Sequence, residues 1–322
     1  MKNFECSCGQ TLFFENTLCL RCNERVGFDP VSQTMGPIAG RTLCQNGVEY
    51  DVCNWIVTNP DHKYCISCDL NHTIPNLLVP DRRRWWKSLE HAKRRLIYSL
   101  LSLHLPVVSK KDSDNGLAFE FIEDQRTNPS VYEEHVSTGH NNGLITINIA
   151  EADEVSREIT RQYTGELYRT LLGHFRHESG HYYFLLLVEQ RGNIEQFREL
   201  FGDDRQDYAS ALQYYYDNKH KMPRDPEMIS HYAQSHPLED WAEVWAHYLH
   251  MVDTLETASV YNMQQGSRHF DDIDELTSKW AELSMMLNAL NRSMGLEDAY
   301  PFTMTEGALR KLRFVHGLIY PN

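Results

Sequence analysis

The sequence predicts an α+β protein in two parts, a small cysteine-rich module held by metal followed by a mostly helical domain with a short sheet. Three observations carry this prediction. All eight cysteines fall between Cys6 and Cys68, leaving none in the long remainder of the chain. Two stretches, Leu117–Glu123 and Leu144–Ala150, alternate apolar with polar or small residues as half-buried strands do. From about Glu154 onward nearly every segment carries helical periodicity. A chain of 322 residues exceeds the single-domain mode of roughly 100–150 residues, and the end of the cysteines sets the boundary at residues 1–75 and 76–322.

Hydrophobic residues make up 41% and charged residues 24%, the balance of a chain that folds throughout. The formal charge of -14 argues against nucleic acid or an anionic membrane surface as a partner, because phosphate binding rests on accumulated Lys and Arg. No stretch resembles a secretory apolar region or approaches the ~20 apolar residues of a membrane span. A cytoplasmic location is expected.

In a reducing compartment such clustered cysteines point to metal thiolates rather than disulfides. Cys6 and Cys8 form CxC, and Cys19 with Cys22 form CxxC; together they offer four thiolates to one tetrahedral zinc. Cys44, Cys53, Cys65 and Cys68 offer a second set that again ends in CxxC. Sequential pairing uses all eight cysteines. All-thiolate zinc has no open position for water, so both sites are expected to be structural. The residues between them are too few and too polar for a substantial core, which makes the metal the expected staple.

After the module, Asp81 is a candidate N-cap for a helix in which Trp85, Leu89, Ala92, Leu96, Leu100 and Leu103 recur at helical spacing. The helix also carries Arg82, Arg83, Arg84, Lys87, Lys93, Arg94 and Arg95, the densest positive run in the chain. A solvated face is the plain expectation, and an acidic or nucleic-acid partner the alternative. In the second strand Ile145, Ile147 and Ile149 are expected to face the core, with Thr146 and Asn148 outward and acidic Glu151, Asp153 and Glu154 opening a helix. That strand is either interior or an edge beside the active site, where an extended peptide would pair with it. The stretches IEQFRELF, YASALQYYYDN and IDELTSKWAELSMMLNALNRSMG have the pattern of further helices. Tyr214, Tyr215 and Tyr216 cannot share one face, so some are expected in the core and some outside.

The stretch HESGH lies within a helical pattern from Gly165 to Gln190. Four residues apart on a helix, His177 and His181 share a face and can bind one zinc, while Glu178 can reach a bound water as general base. Gly180 is a poor interior helix residue, costing about 1 kcal/mol relative to alanine, which suggests a close approach of backbone or substrate. A third ligand is needed. A histidine six residues after His181 would complete the metzincin pattern, but Leu187 stands there. In SHPLEDWAEVWAHYLH, Glu239 and Glu243 are four residues apart on one face, so one can bind the metal while the other orients a ligand.

The run YAQSHPLEDWAE resembles the local pattern of zincins with a glutamate ligand, including anthrax lethal factor and Mlc titration factor, in which a tyrosine precedes the ligand by seven residues. The resemblance implies Glu239 as the ligand, Glu243 as the carboxylate on a zinc-bound histidine, and Tyr232 as oxyanion donor. His236 is a rival for that last role, and Asp240 for the role of Glu243. Over nearly its whole length the chain resembles a bacterial family of zinc-binding metallopeptidases with an N-terminal zinc-ribbon region. The residues that carry this are FECSCGQTLFFENTLCLRC, GLITINIAEAD, YRTLLGHFRHESGHYYF, HPLEDWAEVWAHYLH, ALNRSMG and KLRFVHGLI.

The expected protein is thus a double zinc ribbon followed by a zincin-like α+β domain of gluzincin type. One catalytic zinc on His177, His181 and Glu239 and two structural zincs are expected. Glu178 acts as base in hydrolysis of a protein or peptide substrate, whose identity the sequence does not name. Two alternatives stand beside this reading: a non-enzymatic zinc-ribbon adaptor on a degenerate scaffold, and a zinc-dependent hydrolase of a non-peptide amide.

Overall fold

The computed structural model describes residues 2–164, 169–263 and 272–321. The chain divides into two compact units, Met1–Phe175 and Arg176–Asn322.

The first unit opens with two antiparallel hairpins, β1 (Phe4–Glu5) with β2 (Thr11–Leu12) and β3 (Val26–Asp29) with β4 (Thr34–Pro37). Two short helices follow, α1 (Gln45–Tyr50) and α2 (Ile66–Asp69). The module does have an apolar core. Phe4, Phe14, Phe28 and Trp55 are buried together, with Phe28 and Trp55 centroids 4.8 Å apart. Tyr98, from the next helix, completes the cluster 5.4 Å from Phe14. A module too small to enclose its own aromatics thus closes them with a neighbouring element.

That element is α3 (Arg82–Ser102), which buries Trp86, Leu89, Leu96, Ile97 and Leu100. Asp81 stands at its N-cap but adopts a φ of 65° and makes no capping bond with its side chain. The positive run is divided between the interior and the surface. Arg82 is buried against Glu123 and the Trp85 ring; Lys93 is fully buried on Glu90 and Asn71; and Arg94 is buried on the Val52 carbonyl. Arg83 donates to the Tyr50 carbonyl, Lys87 pairs with Asp51 at 2.6 Å, and Arg95 reaches Glu15 at 3.4 Å. Arg83, Arg84 and Lys87 stay exposed, Arg84 and Lys87 on well-exposed pairs with Asp81 and Asp51. Helical spacing cannot distinguish a cation meeting water from one meeting another segment of the same unit.

A four-stranded sheet runs β5 (Asn71–Thr73), β6 (Ala118–Ile122), β8 (Leu144–Asn148) and β7 (Gly139–Asn141) in spatial order. β6 and β8 are parallel in the register Ala118 to Leu144 through Ile122 to Asn148, and β7 is antiparallel to β8. β8 is therefore interior, and its backbone groups are not free to receive a peptide as an edge would be. Ile145, Ile147 and Ile149 are fully buried as the alternation predicts. Asn148 is buried too, donating to Asp124 at 2.7 Å and to the Val136 carbonyl at 2.9 Å.

A tight 3-10 turn, Ile149–Ala152, leads into α4 (Glu154–Thr164), whose start is held by the Asp153 carboxylate accepting from the Ser156 amide at 2.9 Å. The part of the expected HESGH helix from Gly165 to Tyr168 lies outside the described residues. α5 (Leu171–Tyr183) begins in the first unit, where Phe175 packs on Phe119 and Phe121 of β6.

In the second unit α5 passes into a π-helical segment, Phe184–Glu189, followed by α6 (Ile194–Phe201) and α7 (Tyr208–Asn218). A 3-10 turn, Tyr232–Ser235, precedes α8 (Pro237–Val260), then come α9 (Ile273–Ser293) and α10 (Glu306–Ile319). The core is aromatic: Tyr183 stacks on Trp245 at 4.8 Å, and Trp241 meets Phe184, Phe197 and Phe201. Tyr215 is buried while Tyr214 and Tyr216 are exposed, dividing the three tyrosines as their spacing requires. Among the described residues no helix is long and apolar enough to cross a membrane.

Candidate metal centre and active site

The site is built where α5 and α8 press together, and Gly180 is the reason they can. A Cβ added there would lie 3.0 Å from Ala242 Cα and 3.1 Å from Trp245 Cδ1, closer than ordinary van der Waals contact. Trp241 Nε1 donates to the Gly180 carbonyl at 2.7 Å, and Trp245 Nε1 donates to Ser179 Oγ at 3.1 Å. The glycine suspected from sequence marks a helix crossing.

This crossing brings His177, His181 and Glu239 together, with one donor atom of each within 4.8 Å of the others. His177 Nε2 lies 3.0 Å from Glu239 Oε2, and His181 Nε2 lies 3.4 Å from Glu239 Oε1. Tetrahedral zinc with ~2.0–2.1 Å bonds has ligand–ligand edges of roughly 3.3 Å, so the donor set fits the ion. On the other side of the ring, His177 Nδ1 donates to Glu243 Oε1 at 2.8 Å, the placement that fixes a ligand tautomer. Asp240, a quarter-turn from Glu239, faces elsewhere and binds buried Lys311 Nζ at 2.5 Å.

The electrostatics suit a cation held by these donors. Burial opposes charge on His177, yet its hydrogen bonds to Glu239 and Glu243 hold its proton affinity well above that of an ordinary histidine. Burial also pushes Glu239 up, but His181 and His177 beside it hold its carboxyl far below the usual range. Burial brings His181 down to about 4, leaving a neutral imidazole ready to ligate. Glu178 is buried, its Oε2 has no hydrogen-bond partner among the described residues, and burial pushes it up to about 7.

Of the two candidates for the oxyanion role, Tyr232 has its ring centroid 6.0 Å from that of His177. His236 is engaged otherwise. Its Nδ1 accepts from the Leu238 amide at 3.1 Å, capping α8, and Nε2 donates to the Gln206 carbonyl at 3.2 Å. Both ring nitrogens are committed to backbone, so its catalytic assignment gives way to a capping one. No motif marks Tyr208, whose hydroxyl donates to Glu239 Oε1 at 2.6 Å. It stands 31 residues before Glu239, in a segment whose visible signal is only a capped helix.

Residues 82–318 match the model of a family described as "Putative zinc-binding metallo-peptidase", and residues 3–79 match a zinc-ribbon domain. The chain belongs to this metallopeptidase family. Uncharacterized proteins of Mycobacterium bovis and of Mycobacterium tuberculosis strains CDC 1551 and H37Rv are each 40% identical to it over 333 residues. The alignments cover 99% of this chain and 95% of each relative. No solved structure matches the chain.

In this member of the family the ribbon contains two four-cysteine clusters, Cys6, Cys8, Cys19 and Cys22, and Cys44, Cys53, Cys65 and Cys68. The sets are sequential rather than interleaved. Sulfur separations of 3.7 Å (Cys6 to Cys22), 3.6 Å (Cys8 to Cys19) and 3.7 Å (Cys53 to Cys65) match the ~3.8 Å edge of a tetrahedron with ~2.3 Å zinc–sulfur bonds. The clusters differ in setting. Cys22 is exposed, whereas all four cysteines of the second set are buried. Beside that set, Cys68 Sγ lies 3.7 Å from Glu90 Oε2, and Lys93 pairs with Glu90 at 2.9 Å.

Proposed function

We propose that the chain is a zinc-dependent peptidase in which His177, His181 and Glu239 hold the catalytic ion and Glu178 is the general base. The observation that carries this reading is the convergence of those three donors beside a buried carboxylate, one of whose oxygens has no partner among the described residues. Zinc held there would lower the pKa of water toward ~7 and polarise a carbonyl oxygen.

The remaining work falls to side chains of the chain. Glu178 accepts the proton of the attacking water on its carboxylate and returns it to the leaving amine, for which a pKa of about 7 is well placed. Glu243 keeps His177 Nδ1 protonated, so that Nε2 presents a lone pair to the metal. Tyr232, beside His177, is the phenol available to donate to the carbonyl oxygen as negative charge develops on it. The two four-cysteine clusters have closed ligand sets and serve the fold, giving three zinc ions per chain. The substrate is a cytoplasmic protein or peptide. The burial of Arg82, Lys93 and Arg94 in the fold weighs against the adaptor alternative, whose case rested on that run.

Metal counting and one substitution test the reading. The purified chain should carry three zinc ions, and His177→Ala should carry two. Glu178→Gln should keep three and lose hydrolysis of the peptides that the unaltered chain cleaves from a mixed peptide library. Two zinc ions in the unaltered chain, or full turnover by Glu178→Gln, would remove the proposal.

A further inference from the structure

Glu239 has two carboxylate oxygens, and the structure treats them differently. Oε2 lies 3.0 Å from His177 Nε2, and Oε1 receives a 2.6 Å hydrogen bond from Tyr208 on top of its 3.4 Å approach to His181 Nε2. Glu239 is 1% exposed, so water does not compete for either oxygen, while Tyr208 is 43% exposed and reaches in from the rim.

The phenol is held in place from three directions. It is the first residue of α7, whose start is fixed by Asp207 Oδ1 accepting from the Ser210 amide at 2.9 Å. Its ring stands edge-on to His236 with centroids 5.1 Å apart. His236 joins the two helix starts, since it bonds the Gln206 carbonyl just before α7 and caps α8, which carries Glu239. The rival candidate for oxyanion binding is thus part of what seats Tyr208 over Glu239.

From this geometry we infer that Tyr208 is a positioning residue that keeps Glu239 a one-oxygen ligand, occupying Oε1 so that Oε2 alone meets the metal. The inference rests on the metal centre proposed above. Its consequence is chemical. A carboxylate free to chelate through both oxygens would take up the position that a catalytic zinc leaves to water, whereas a strong donor on one oxygen removes that option. Tyr208 is not the tyrosine of the seven-residue spacing and plays a different part from Tyr232. One phenol acts on the ligand, the other on the substrate.

The test is Tyr208→Phe, which deletes the hydroxyl and leaves the ring against His236, with Tyr214→Phe on an exposed turn of the same helix as control. The ion in the histidine–glutamate site is exchanged for cobalt with a mild chelator while the thiolate sites keep zinc, as absence of cobalt–thiolate charge-transfer absorption verifies. In Tyr208→Phe the visible cobalt bands should weaken and shift toward those of a five-coordinate ion, and zinc affinity by chelator competition should change by about 10-fold or more. kcat should fall more than KM rises. Tyr214→Phe should match the unaltered chain in all three. Unchanged cobalt bands in Tyr208→Phe overturn the role of Tyr208 and leave the metal centre standing. A chain with no metal beyond its thiolate sites overturns both. A metal centre with altered bands but no peptide hydrolysis upholds Tyr208 and sinks the peptidase reading.

Discussion

Replacing Glu243 by alanine should weaken zinc binding at the histidine–glutamate site by about 10- to 100-fold and leave both four-cysteine clusters loaded. The magnitude follows from one contact. His177 Nδ1 donates to Glu243 Oε1 at 2.8 Å, and the His177 and Glu243 side chains are only 13% and 19% exposed. Alanine leaves a largely buried N–H without its acceptor, a loss of about 1–3 kcal/mol. At ~1.4 kcal/mol per decade of affinity this is roughly a 5- to 150-fold effect, overlapping the range seen for carboxylates behind ligand histidines. Glu243→Gln keeps an acceptor oxygen but not the charge. Since charge-assisted bonds are about twice as strong as neutral ones, it should lie between alanine and the unaltered chain. The assay is competition with a chromophoric chelator, titrated past the weaker site and stopped before the thiolate sites yield. Affinity in Glu243→Ala within about twofold of the unaltered chain would mean that the His177 ring is oriented by its packing and not by this carboxylate.

Gly180→Ala should lower the melting temperature. Its Cβ would meet Ala242 and Trp245 at 3.0–3.2 Å, and overpacking of about 1–3 kcal/mol exceeds the ~1 kcal/mol that alanine gains in a helix. An unchanged or raised melting temperature would show that Trp245 gives way freely. Cys65→Ser should destabilise the ribbon far more than Cys22→Ser although each removes one zinc, because Cys65 is buried and Cys22 is exposed; thermal melts with zinc counts decide it. Glu151 carries a pH prediction. Burial raises its pKa, but His174 and Arg169 outweigh that and bring it from 4.5 to about 2. Its contribution is therefore present above pH ~4.5 and is lost as pH falls toward ~2, on the order of 3 kcal/mol at ~1.4 kcal/mol per pH unit. Glu151→Gln should show a flatter acid limb than the unaltered chain in denaturant melts across that window, and parallel limbs would refute the assignment.

What the sequence made legible is chemistry set by short spacings. Cys65 and Cys68, or His177 and His181, converge because three or four residues bring side chains to one place in any helix or tight turn, so these pairs followed without knowledge of the fold. The buried face of β8 followed from alternation at Ile145, Ile147 and Ile149. Its interior position did not, because an edge and a central strand can share that alternation and differ only in what lies alongside. The positive run of α3 has the composition of a binding surface, yet its partners Glu15, Asp51, Val52 and Glu123 come from separate turns of the chain.

The same limit explains why Tyr208 drew no reading and His236 a catalytic one, while the resemblance singled out Glu239 and Glu243. On α8 each step of one residue turns a side chain by ~100°, so neighbours in sequence face different surroundings. Glu239 and Glu243 address the histidines of α5, Asp240 turns to Lys311 of α10, and Ala242 and Trp245 receive Gly180. Spacing within one helix ranks these positions once a single one is anchored. The resemblance anchored Glu239, and its i+4 partner Glu243 followed. Tyr208 belongs to another helix, and its approach to Glu239 depends on where α7 begins. That start is set by the Asp207 cap and by the backbone bond from His236 to Gln206. A residue whose role is conferred by another element's cap leaves no periodic trace of that role. The histidine that looked catalytic beside Glu239 is the one that brings the unmarked tyrosine to it.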